Sequence, residues 1–73
     1  VYKYHDDENI PPDYEYYENE ELRLRTVYKT KDECRTDTIF DSDYTVSVYY
    51  KDSKKIREIY RKDGFVLRTN EYE

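Results

Sequence analysis

From Glu21 onward, apolar and polar residues alternate almost strictly along the chain. Leu22, Leu24, Thr26 and Tyr28 fall on one parity, Arg23, Arg25, Val27 and Lys29 on the other. A period of two marks a strand, because successive side chains of an extended backbone point to opposite faces. Lys31-Asp32-Glu33 interrupts the rhythm, which then resumes with Cys34, Thr36, Thr38 and Phe40 against Arg35, Asp37 and Ile39. A second break at Asp41-Ser42-Asp43 precedes the clearest strand, with Tyr44, Val46, Val48 and Tyr50 inward and Thr45, Ser47 and Tyr49 outward. Lys51-Asp52-Ser53 breaks again, and Asp63-Gly64 is a hairpin-turn signal ahead of Phe65-Val66-Leu67. Breaks roughly ten residues apart are the spacing of an antiparallel meander or a small barrel.

The stretch from Ser53 to Gly64 carries two readings. As a helix over 54–62 it has Ser53 at the N-cap and Gly64 past the C-terminus. Ile56, Ile59 and Tyr60 then share a face, while Lys54, Glu58 and Lys62 pair at i,i+4. As a strand its faces are mixed, Ile56, Glu58 and Tyr60 against Arg57, Ile59 and Arg61. Turn spacing and the Asp-Gly pair favour the strand. Upstream, Pro11-Pro12 removes two amide donors and bars a helix or central strand. Short alternating pieces, Tyr2 and Tyr4 before the prolines and Tyr14 and Tyr16 after, read as edge strands or as parts of a flexible arm. The expected fold is therefore mainly β: one domain over residues 1–73, an open meander or partly open barrel of about five strands. Residues 1–21 form an acidic arm and 22–73 the strand-rich body; α+β with the 54–62 helix is the alternative.

Composition makes this picture thin. Within 73 residues there are five Val, four Ile, three Leu and two Phe, and no Ala, Met or Trp. That stock lies near the level at which chains stay disordered. Eleven tyrosines fill the gap. A tyrosine buries a large ring while its hydroxyl stays wet, which suits a thin sheet. Charge changes the picture further. The net is −5, yet residues 1–21 hold eight acids against Lys3 alone, a local −7, and the other 52 residues net +2. One cysteine, Cys34, cannot form an internal disulfide, and the usage favours a reducing, cytoplasmic setting. A start at Val1 with no Met marks a trimmed chain, so a removed leader and a secreted protein stay open. No apolar run approaches the ~20 residues of a membrane helix.

Little here points to catalysis. His5 and Cys34 lack an orienting motif, Ser42 and Ser53 sit in turns, and one glycine cannot make a phosphate loop. His5-Asp6-Asp7-Glu8 cannot turn four adjacent ligands to one ion, so no metal or other cofactor is expected. Residues 51–68 carry seven bases among Tyr60 and Phe65, a pattern that can hold single-stranded nucleic acid, but the acidic total argues against it. The remaining signal is Asp13, Tyr14, Glu15, Tyr16, Tyr17, Glu18, Glu20 and Glu21. Carboxylates spaced along an extended segment imitate phosphates, and phenol rings supply flat contact area between them. The expected function is a non-catalytic inhibitor that blocks a basic, nucleic-acid-binding site on a target protein, as small phage or mobile-element proteins do. A secreted ligand for a basic exosite is the alternative, and homodimerisation stays open.

Overall fold

The computed structural model describes every residue except Ser42 and Glu73, with Asp41 described in its backbone only. Seven strands run in chain order: β1 (Tyr2–Lys3), β2 (Asp13–Glu18), β3 (Glu21–Thr30), β4 (Glu33–Asp41), β5 (Tyr44–Lys51), β6 (Lys54–Lys62) and β7 (Phe65–Glu71). Each pairs antiparallel with the next, giving a single open sheet in the order β1-β2-β3-β4-β5-β6-β7. The mainly-β expectation holds. The count of about five strands is too low, the sheet does not close as a barrel, and 54–62 is strand β6 rather than a helix. Residues 1–21 are part of the sheet instead of a free arm: β2 pairs with β3, Tyr2 with Tyr14, and Val1 and Glu15 exchange main-chain bonds of 2.7 and 2.8 Å.

The meander follows from its turns. Two-residue loops join consecutive strands from β2 to β7. In three of them, Asn19-Glu20, Asp52-Ser53 and Asp63-Gly64, both central residues have positive φ. That is the type I′ geometry whose twist matches paired strands and lets a chain fold straight back on itself. The turn expected at Asp41-Ser42-Asp43 lies partly outside the described residues. A bulge accompanies each of these five hairpins, at Arg23, Lys29, Phe40, Ile56 and Leu67, where the register skips one residue. Bulges add twist and change which face a side chain meets. This corrects the sequence reading at Leu22, which lies beside Arg23 and Ile39 instead of beneath Leu24.

The molecule measures 36 × 35 × 15 Å. Nothing lies over either face, and no hydrophobic side chain among the described residues is fully buried. One face carries Tyr14, Thr26, Thr36 and Val48 in one cross-strand row and Tyr16, Leu24, Thr38 and Val46 in the next. These β-branched and aromatic pairs, half-buried except at Tyr16, contribute about 0.2–1 kcal/mol each, the usual worth of cross-strand neighbours. The opposite face is charged. Its three fully buried residues are polar: Glu15, Asp37 and Ser47.

Ser53 tests the turn argument. Its φ of 64° is a left-handed conformation that costs a residue with a Cβ about 1 kcal/mol relative to glycine. Ser53→Gly should therefore raise the melting temperature by roughly 4–8 °C in a domain of this size, read by thermal unfolding in circular dichroism. No change would mean that Ser53 is held there without strain.

Candidate functional site

The acidic tyrosine segment becomes β2 and the start of β3, and folding divides it into two groups. The first is engaged inside the sheet. Asp13 Oδ1 accepts from the backbone N–H of Tyr28 at 2.8 Å and lies 2.8 Å from His5 Nε2. Burial pushes the Asp13 carboxyl up, but the Tyr28 amide and the His5 side chain outweigh it and leave the pKa lowered. Glu15 is held down in pKa by a hydrogen bond from Lys3, against the opposing effect of burial, with the Lys3 ammonium 3.1 Å away. Tyr14 packs on Tyr2, ring centroids 5.0 Å apart. These three members of the segment build the sheet.

The second group faces outward. Tyr16 and Tyr17 are each 45% exposed, and Glu18, Glu20 and Glu21 flank the tight Asn19-Glu20 turn in the open. Glu21 meets Arg23 at 2.8 Å, while Glu18 and Glu20 form no ion pair among the described residues. Asp6, Asp7 and Glu8, in the loop after β1, are exposed and likewise unpaired, and Tyr4 beside them is 81% exposed. Asp7 caps its own loop by accepting from the backbone N–H of Asn9 at 2.9 Å. The acidic character of the N-terminal part thus survives on the surface, carried by five carboxylates that have no cation against them.

A second constellation was invisible in the sequence. On the charged face, cross-strand register lines up Glu15 with Arg25, Arg25 with Asp37 and Asp37 with Ser47. Asp37 is 2% exposed. Its Oδ2 accepts from Arg25 Nε at 3.0 Å and Nη2 at 2.9 Å, and from Arg35 Nε at 3.2 Å. Its Oδ1 accepts from the Ser47 hydroxyl at 2.6 Å, whose oxygen in turn accepts from Arg61 Nη1 at 3.0 Å. The only advance sign was that Arg25, Arg35, Asp37 and Ser47 all occupy the charged parity of their strands. Which of them would meet depends on register, and register is not written locally.

Cys34 is half-buried, and burial pushes its thiol pKa up, which disfavours a reactive thiolate. At the β6–β7 edge, Glu58 is lowered by a hydrogen bond from the Tyr72 hydroxyl, with Asn70 and Lys55 adding to it against burial. No cluster of metal ligands occurs among the described residues.

Two outcomes follow. Asp37→Ala removes the acceptor that joins four strands and should cost about 2 kcal/mol or more, lowering the melting temperature by roughly 10 °C. Asp32→Ala, in an exposed turn, should stay within about 0.5 kcal/mol. Equal melting temperatures would show that the network is ornamental. The lowered carboxyls of Asp13, Glu15 and Glu58 contribute stability that is present above the unfolded-state carboxyl pKa, near pH 4, and lost as pH falls through the folded values. Asp63 runs the other way: its hydrogen bond with Asp43 raises its pKa, so acid relieves that pair. Three groups against one predict a melting temperature that falls below about pH 4, and a rise there would reverse the assignment. Comparison with protein-family models, with curated proteins and with solved structures finds no match to this chain.

Proposed function

We propose that the chain is a non-catalytic protein-binding module whose β2–β3 hairpin tip, with the loop after β1, occupies a basic surface on a partner protein. The observation that supports this reading is the five exposed carboxylates without an ion-pair partner among the described residues, in two groups at the two ends of β2: Asp6, Asp7 and Glu8 beside Tyr4, and Glu18 and Glu20 beside Tyr16 and Tyr17. A partner built to hold a phosphate backbone attracts such a row of charges over long range, and the phenol rings give contact area once it is near. The tip is pre-shaped, since the I′ turn and the flanking ladder fix its backbone before any partner arrives, which limits the ordering cost of association. Blocking such a site would make the module an inhibitor.

The test separates the outward group from the engaged one. Tyr16→Ser, Tyr17→Ser, Glu18→Gln and Glu20→Gln are combined in one variant that leaves Asp13 and Glu15 intact. Lysate of the source organism is passed over immobilised wild type and variant. The expected result is a basic protein retained by the wild type, eluted by salt, with association to the variant slowed about tenfold or more at low ionic strength. Equal retention by both, or binding indifferent to salt, would place the contact elsewhere on the sheet. An unchanged thermal unfolding curve for the variant shows that the fold is intact.

A further inference from the structure

Asp37 has more cations than its charge requires. One guanidinium and the Ser47 hydroxyl would satisfy a single carboxylate, yet three arginines from three strands border the Asp37–Ser47 pair: Arg25 from β3 and Arg35 from β4 donate to Asp37, and Arg61 from β6 donates to Ser47. Arg25 and Arg35 donate to the same oxygen, Asp37 Oδ2, so their positive groups are held side by side. Three positive charges against one negative leave a surplus of two. The nearest further acid in the register, Glu15, is already engaged by Lys3 at 3.1 Å.

The guanidiniums are also not used up. Arg25 Nη1, both terminal nitrogens of Arg35, and Nε and Nη2 of Arg61 donate to no protein group among the described residues. The Arg25 and Arg35 side chains are 38% and 36% exposed, reachable from solvent although their acceptor is sealed beneath them. Between them lies an open concavity of about 310 Å³, with Thr45 and Tyr49 completing its wall. At ~30 Å³ per water, that space admits a tetrahedral oxyanion and several atoms of what carries it. The floor is fixed, because Asp37 and Ser47 are each 2% exposed and tied to the arginines by hydrogen bonds. Arg57 lies over the Tyr49 ring at 5.9 Å, which steadies that wall.

We propose that the concavity bounded by Arg25, Arg35 and Arg61 is a binding site for a phosphomonoester group. A dianion balances the surplus of two charges, and its several oxygens match guanidinium donors arriving from different directions. Asp37 acts as a positioning residue: it aims Arg25 and Arg35 directly and Arg61 through Ser47, and the ligand takes the donors they leave over. The site lies on the sheet face and is built from residues other than those of the hairpin tip, so either reading can fail alone.

The experiment uses the whole chain labelled with nitrogen-15. Phenyl phosphate is titrated in at constant ionic strength and about pH 7.5, above the second phosphate pKa, while the arginine Nε–H signals are followed. Benzoate, the same ring bearing one negative charge, serves as the comparison. Saturable shifts at Arg25, Arg35 and Arg61, with benzoate about tenfold weaker or worse, are expected. Arg61→Gln should weaken phenyl phosphate about tenfold; it leaves both bonds from Arg25 to Asp37 in place and so spares the network. Arg68→Gln should change affinity less than about twofold, because that side chain donates to Asn70 Oδ1 at 3.0 Å and does not line the concavity. Shifts that never saturate, equal binding of benzoate, or equal losses in the two variants would overturn the assignment. If Arg61→Gln loses signal dispersion, the wild-type titration against benzoate decides alone.

Discussion

A chain whose strands from β2 onward are joined only by two-residue turns has nowhere to send a second layer. Each strand from β3 to β6 is committed to its two neighbours, and neither face of the sheet is covered by any other of the described residues. The usual division of a small domain into apolar interior and polar exterior cannot arise. Stability must come from the main-chain ladder, from cross-strand side-chain pairs and from whatever polar contacts a half-wet surface can protect. Most other features follow from that restriction, including the tyrosine content. A phenylalanine on an open face exposes only hydrocarbon, whereas a tyrosine gives its ring to a neighbour and its hydroxyl to water.

The same restriction explains why the most deeply covered atoms belong to an aspartate and a serine. On a single layer, burial comes from long side chains lying over short ones. Arginine has a long apolar stem and a head that can remain in solvent, so Arg25, Arg35 and Arg61 roof Asp37 and Ser47 while staying partly exposed. The result connects β3, β4, β5 and β6 through one carboxylate. A buried ion pair in a conventional core is a weak source of stability, since hydrophobic packing could replace it. Here no such packing is on offer. The polar network and the apolar rows specify the same register, because slipping one strand by a residue would turn both its charges and its apolar side chains to the wrong face.

Much of this was legible in the sequence because alternation and turn chemistry speak locally. The parities of Leu24, Thr26 and Tyr28, and of Val46, Val48 and Tyr50, are those of the sheet faces. Where the reading stayed divided or failed, a bulge or a long-range contact intervened. The strand favoured over 54–62 had mixed faces, and Ile56 and Ile59, three apart, kept a helix as its alternative. The bulge at Ile56 instead shifts the phase of β6, so that Ile56 lines a concavity with Val27, Arg35 and Tyr49 on the face that Ile59 also meets. Residues 1–21 read as an arm because their apolar content cannot order them alone. They are ordered by pairing with β3 and by Asp13 and Glu15 turning inward to His5, Tyr28 and Lys3. Within a segment of eight carboxylates and phenols, no composition argument could tell the three that build the sheet from those that face outward.

That division matters for how charge is laid out. The local excess of acid at the N-terminal end and the mild excess of base in the body do not simply cancel across the fold. Two acids of the N-terminal part are drawn into the sheet, and five remain at the two ends of β2 without a cation among the described residues. Three arginines of the body gather at the Asp37–Ser47 pair, two on the carboxylate and one on the hydroxyl, and leave a positive surplus on a face. Had the halves evolved only to neutralise each other, exposed carboxylates such as Glu18 and Glu20 would face the arginines. Instead the two excesses are held apart by the rigid ladder between them. In a sheet with no interior to protect, both surfaces are free to be specialised, and charges kept from their natural partners within the chain are available to groups outside it.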